Sequence, residues 1–506
     1  MPRTAISAPS LLAAEAGAAA CIGGGNAVDA AVAATIAGMI SEPGIVGPGA
    51  GCLITIWEEG SEPVVIDGYV AMPGAAKRPA DGVFGSPVDM TYGGGMTTRI
   101  GAGSVAVPGA WDALGQAVTR FGAASWRQVM SPAFRLAERG YPLSEAAARY
   151  LEHAFLPIFS IDPEMRALLT DGDGRLLQAG EIVTPVGLAE TLETIAGEGA
   201  RTWYEGAIAE KILAIMDLQD GCIGEADLVG YRAEYRTAVR VEVGEWVVAT
   251  SPAPSIGGPL MAATLLLLDS DRQESAGLYT TDIINALATV QGHRDIRIDH
   301  AHDQAAVAME LLREVAIAGR AGLGSSSTIH VSAADDEGRA CAITTSAGYG
   351  SGVMIPNTGL ALNNCLGEID LYPAGVSGYS PGDRLGSNMA PTVARRGSRT
   401  LALGSPGAAR IVSSMAQVLA KVTLRGDDVE AAIEAPRLHV EPGPQRLLSV
   451  EEPLEVDPTA GFVVRRFPAH SMYFGAVGVA GFDPEGNGLT ALADRRRSGD
   501  VAIGEG

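Results

Sequence analysis

The sequence predicts an α/β layered fold, with stacked sheets carrying helices on their outer faces. Three observations predict it. An apolar helix near the start runs into short β-branched strands, the middle of the chain repeats apolar residues at helical spacing, and strand patterns return from residue 328 onward.

Each element has a local cause. Asn26 is placed to cap the first helix and Asp29 to complement its N-terminal dipole, ahead of the run AVAATIAGMI at 31–40. That run is apolar nearly all round, so the helix belongs inside a layer. The turn EPGIVGPGAG leads to strands at 52–57 and 63–66. Residues 110–290 are mainly helical, in segments such as AWDALGQAVTRFG and SWRQVMSPAFRLAERG that stop at glycine. Strand character returns at 239–249. TIHVSAADDEGRACAITTS reads as two strands joined by a turn at 336–338. Short strands follow at 401–403, 447–450 and 474–481, and a helix at 411–422.

Composition bounds the function. A chain of 506 residues suggests about three domains or two large ones. Hydrophobic residues at 47% and charged residues at 19% build large cores and argue against disorder. The balance 36 − 59 = −23 repels phosphate backbones and anionic lipids, and 5% aromatics leave little for base stacking, so nucleic acid and membrane surfaces are not expected partners. Five scattered cysteines without C-x-x-C spacing predict neither a disulfide framework nor a zinc knuckle. No run of eighteen apolar residues exists, and the N-terminal MPRTAISAPSLLAAEAGAAA lacks a signal-peptide h-region. A cytoplasmic enzyme without cofactor or metal is the expectation.

Chemistry concentrates in GLGSSSTIHVSAAD. By pattern alone GSSST is a polar loop, and 322–327 is the clearest flexible break in the chain. Yet Thr328 opens a strand. Were the bond before it cut, Thr328 would carry both a nucleophilic hydroxyl and its own α-amine, whose pKa near 8 suits a general base. GSPGAARI at 404–411 follows a strand and opens a helix, presenting backbone N–H groups suited to an oxyanion. The glycine runs at 23–25 and 93–95 fit no dinucleotide fingerprint, and the G-x-G at Gly101 lacks its last glycine, where Ala106 stands. His330, His439 and His470 are isolated. His300 and His302 beside Asp299 and Asp303 read as a solvated turn rather than a metal site.

Several segments in collinear order resemble the γ-glutamyltranspeptidase family of N-terminal nucleophile hydrolases. They include GGNAVDAAVAA, SEPGIVGPGAGCLI, SVAVPGAWDAL, SPAFRLAERGYPLS, SPAPSIGG, TIHVSAAD, SGVMIPNTGLALNN, MAPT, GSPGAARI and EAPRLH. The resemblance implies a four-layer αββα sandwich made as one precursor and cut between Ser327 and Thr328. The products would be a large subunit, 1–327, and a small subunit, 328–506, intertwined in one domain. It implies Thr328 as nucleophile and Gly407 and Ala408 as oxyanion donors, and Ser346 lies near the position of the family's threonine that hydrogen-bonds the nucleophile. Ser387 and Asn388 fall on the family's paired serines that meet the substrate.

The departures are as informative. Tyr69, in DGYVAMP, stands where the family's arginine grips the substrate α-carboxylate, and a phenol cannot replace a guanidinium. In LNNCLGE only Glu368 remains of the acidic pair that holds the α-amino group. The second strand is about two residues short and lacks the usual asparagine. Loss of a buried ion-pair partner costs roughly 3–5 kcal/mol, so ordinary glutathione is not the expected substrate. The expectation is a self-processing threonine hydrolase or acyltransferase acting on a small molecule with another acyl group. Three further readings stay open. They are a true γ-glutamyltransferase with Arg294, Arg384 or Arg410 in the clamp, an oxalyl-type C–C hydrolase, and an uncleaved inactive binding relative.

Overall fold

Small side chains bring two antiparallel sheets face to face. Ala5, Ala334, Ala340 and Ala342 of one sheet and Ala249, Val393, Ala402 and Ala480 of the other form a single buried cluster, and residues of that size let the sheets pack closely. The computed structural model describes residues 2–75, 77–80, 82–91, 95–274, 280–298, 301, 303–318, 328–369, 371–372, 375–441, 446–456 and 461–506.

The larger sheet runs in the order Asp500–Gly504, Thr4–Ala8, Ile329–Asp335, Ala340–Ser346, Gly51–Trp57, Val64–Gly68, Glu234–Thr237. The smaller runs Gly488–Leu492, Gly478–Asp483, Arg399–Gly404, Thr392–Arg396, Trp246–Thr250, Val239–Val243. Helices Leu11–Cys21, Ala27–Ser41 and Ala110–Phe121 cover the outer face of the first, with Ile6, Ile54, Ile66 and Val331 in their core. Helices Gly257–Glu274, Thr280–His293 and Arg410–Ala420 cover the second. The result is a four-layer α/β/β/α arrangement. Both of these sheets mix strands from either side of residue 328, so neither segment holds either of them complete.

The helix Ala27–Ser41 is capped as expected, although Leu11–Cys21 precedes it: Asn26 accepts from Val28 and Asp29 N–H while the Asp29 carboxylate accepts from Asn26 N–H. Other expectations shift. Gly244 (φ +58°) turns the 239–249 segment into a hairpin. The strand expected at 474–481 begins at Gly478, because Gly475 (φ +74°) ends a short 3-10 turn, Met472–Phe474. The buried strand Thr4–Ala8, TAISA, carries too little alternation to be read from sequence. The break at 322–327, Gly93, and the residues Asp299, His300 and His302 lie outside the described residues. Asp303 accepts from Ala306 N–H at a helix start. All five cysteines are free and buried. Among the described residues no helix is long and apolar enough to cross a membrane, and no group of three or more metal-ligating side chains occurs.

Candidate active site

Strand register builds the site. Ile329 pairs with Thr345 and Ser346 with Gly51, while Cys52 pairs with Gly68. One further step along each ladder puts Thr328, Ser346, Gly51 and Tyr69 in a row across one end of the larger sheet. Gly51 must lack a side chain, since a Cβ there would stand 2.6 Å from Val70 N. The smaller sheet ends over the same row. A Cβ on Gly404 would lie 2.2 Å from the His330 ring, so that strand end rests directly on the residue two past Thr328.

Thr328 is 1% exposed, and its Oγ1 has no hydrogen-bond partner among the described residues. It lines a cavity of about 480 Å³, mouth included, together with Glu42, His330, Pro406, Asp494 and Arg497. His330 is neutral: burial pulls its imidazole down to about 3. Its ring nitrogens lie 2.9 Å from Thr344 Oγ1 and 2.7 Å from Ser332 Oγ. It braces the strand and does not act as a base.

Pro406 leads from the cavity wall into the turn at Gly407 and Ala408. Gly407 has φ +125° and packs on Gly475, while Ala408 holds φ +70°. Arg410 N–H donates to Gly407 O and Ile411 N–H to Ala408 O. The N–H groups of Gly407 and Ala408 lie outside those two bonds, at the start of a helix whose dipole favours negative charge. An alanine in the left-handed region is strained by about 1–2 kcal/mol. Ala408→Gly is therefore expected to stabilise the fold by about 0.5–1 kcal/mol after the extra unfolded-chain entropy of glycine, measurable in urea unfolding.

Ser346 and Tyr69 share the strand row with Thr328, and Glu368 reaches the turn that follows Ser346. Ser346 Oγ accepts from Gly348 N–H at 3.2 Å. Tyr69 is 2% exposed and belongs to an apolar cluster with Val70, Phe84 and Tyr372, its hydroxyl donating to Cys365 Sγ at 3.8 Å. Burial, reinforced by Cys365 and Glu368, pushes that hydroxyl well above its ordinary value. Glu368 is buried and closes on Gly348 (φ +61°) together with Asn364. Ser387 Oγ accepts from Met389 N–H, and Asn388, 3% exposed, has neither amide atom bonded among the described residues. Of the expected site residues only Thr328 lines this cavity; Ser346, Gly407, Ala408, Tyr69, Glu368, Ser387 and Asn388 do not.

The arginines weighed for the clamp are committed elsewhere. Arg384 stacks 4.2 Å over Tyr231, approaches Asp67 at 3.7 Å and donates to Arg232 O. Arg410 stacks over Tyr473 and donates to its carbonyl. Arg294 is wholly buried, next to the helix Thr280–His293 of the outer layer. Sequence reasoning missed Glu42 and Asp494. The signal for Glu42 was present: it is the one acidic or basic residue within a long apolar and glycine-rich run, 30–57.

The family model described as Gamma-glutamyltranspeptidase matches residues 13–504. The chain is 31% identical to the Acylase ACY 1 proenzyme of Pseudomonas sp. (strain V22), over 98% of this chain and 92% of that protein. It is 28% identical to the Glutathione hydrolase proenzyme of Pseudomonas aeruginosa, over 86% and 82%. The fold superposes on the crystal structure of cephalosporin acylase from Bacillus halodurans with a TM-score of 0.79 at 23% identity, covering 100% of this chain and 96% of that one.

Proposed function

The chain belongs to the gamma-glutamyltranspeptidase family, and from that premise we propose a self-processing threonine hydrolase or acyltransferase that attacks an amide-type or activated carbonyl of a small molecule. The observation that carries this reading is Thr328 Oγ1: buried, unpartnered, at the head of a strand and facing a cavity beside the Gly407–Ala408 turn. In maturation the hydroxyl adds to the Ser327 carbonyl carbon, the C–N bond breaks to leave an ester and a free α-amine, and water hydrolyses the ester. In turnover the amine takes the Oγ1 proton, Oγ1 attacks the substrate carbonyl, and the N–H groups of Gly407 and Ala408 hold the oxyanion. The protonated amine then protonates the leaving group. Water or a second amine releases the acyl group from the ester.

Ser346 orients the nucleophile in this reading, while Asn388, Ser387 and Glu368 meet the substrate. The acyl group is not an ordinary γ-glutamyl. Tyr69 is packed away in an apolar cluster, and Arg384 and Arg410 are held by their own partners, which leaves an α-carboxylate without its guanidinium.

Incubating the purified chain should convert it to fragments of 327 and 506 − 327 = 179 residues. Turnover of γ-glutamyl-p-nitroanilide is expected to fall at least about 100-fold below that of an acyl anilide lacking the α-amino acid head, the size of a lost buried ion pair. A preference for the γ-glutamyl substrate would overturn the substrate assignment.

A further inference from the structure

Before cleavage the nitrogen of Thr328 is an amide and cannot serve as a base, so maturation needs a proton acceptor that turnover does not. The ionisable side chains on the Thr328 cavity are Glu42, His330, Asp494 and Arg497. Both His330 nitrogens are occupied by hydroxyls. Asp494 is tied to Arg437 and Arg496 and accepts from Val477 N–H. Arg497 is a cation. Glu42 differs. Its Oε2 accepts from Ser144 Oγ at 2.5 Å and Ser10 Oγ stands close enough to stabilise the carboxylate as well, yet among the described residues Oε1 makes no well-formed hydrogen bond although the residue is 1% exposed. Thr328 Oγ1 is an unsatisfied hydroxyl on the same cavity, whereas Ser10 Oγ, the other open hydroxyl near Glu42, does not line it. A buried donor and a buried acceptor left open together are costly unless they are joined, and a cavity of this size admits a water between them.

We propose that Glu42 is the proton acceptor of self-cleavage, reached from Thr328 Oγ1 through one bridging water. The proposal rests on the self-processing reading above. As Oγ1 bonds to the Ser327 carbonyl carbon, its proton passes to Glu42. As the C–N bond breaks, Glu42 returns that proton to the departing nitrogen, and water later splits the ester into a Ser327 acid and the restored hydroxyl. Burial raises the Glu42 carboxyl to about 7, with the hydroxyls of Ser144 and Ser10 partly offsetting it. The titratable groups facing it are Tyr141, His330, Asp494 and Arg497. Burial keeps Tyr141 and His330 neutral near pH 7.

The test follows maturation of the full chain after cell-free synthesis, by loss of the intact band between pH 5.5 and 9. The wild-type rate is expected to rise to a plateau with a midpoint near 7. Glu42→Gln is expected to slow it at least about 30-fold and remove the pH dependence, and Glu42→Asp to restore cleavage with a displaced midpoint. Glu42→Gln should fold, with a thermal midpoint at pH 8 no lower than wild type, since it relieves a buried carboxylate. Cleavage of Glu42→Gln within threefold of wild type, or an unmoved midpoint in Glu42→Asp, overturns the proposal. A wild-type chain that stays intact at every pH instead overturns the self-processing reading itself.

Discussion

Thr328→Ala is expected to leave the chain intact at 506 residues and to lower turnover by about four orders of magnitude or more. Removing a nucleophile from a catalytic unit costs on that scale because no other group forms the covalent intermediate. Here one substitution removes two functions. Without Oγ1 there is no internal attack on the Ser327 carbonyl, so the α-amine is never released, and the base is lost with the nucleophile. Thr328→Ser, which keeps the hydroxyl, should still mature. The distinction is clean because the methyl of Thr328 contributes only modest packing, and Thr328→Ala should unfold within about 1 kcal/mol of wild type. A denaturing gel with intact-mass measurement reads maturation, and acyl anilide turnover reads the second effect. Prompt cleavage of Thr328→Ala would remove the nucleophile from this position.

The layered architecture was legible because its elements carry strong local patterns. The Asn26 cap, the apolar run behind it and the turn at 336–338 all stand where periodicity and turn chemistry put them. Thr4–Ala8 was not legible. TAISA is a strand only because Asp500–Gly504 and Ile329–Asp335 pair with it from hundreds of residues away. The site divides in the same way. Thr328 and the Gly407–Ala408 turn are marked by position, one at a strand head and one between strand and helix. Tyr69 is marked only by being the wrong residue, and its fate depends on tertiary packing: it joins Val70, Phe84 and Tyr372 in a core. Glu42 faces the cavity because Pro43 and Gly44 (φ +88°) turn the chain there, and Ser144, 102 residues on, holds one of its oxygens. No local pattern encodes that meeting.

The second large effect lies behind the cavity wall. Asp494→Ala is expected to destabilise the fold by about 3–5 kcal/mol, the cost of leaving buried charges unpaired. Asp494 Oδ2 accepts from Arg437 at 2.5 Å and from Val477 N–H at 2.9 Å, and Oδ1 accepts from Arg496 at 3.2 Å. Both guanidiniums are about 1% exposed. Removing the carboxylate leaves Arg437 and Arg496 with Glu451 as their one remaining anion, bonded to Arg496. The double variant Asp494→Ala with Arg437→Met should cost less than the two single changes summed, because the pair is lost together rather than split. Burial alone would raise the Asp494 carboxyl, but Arg437 and Arg496 outweigh it and hold the group below its ordinary range. A depressed folded-state value means the stabilisation is present above the unfolded pKa, about 3.9, and is lost as pH falls through the folded one. Urea unfolding at pH 7 and at pH 3 should therefore show the penalty of Asp494→Ala shrinking in acid. A penalty under 1 kcal/mol at pH 7 would mean that water reaches this network. Because Val477 N–H hangs on the same carboxylate, the start of strand Gly478–Asp483 should loosen with it. Gly478 lines the Thr328 cavity, so maturation should slow in Asp494→Ala even at temperatures where the chain remains folded.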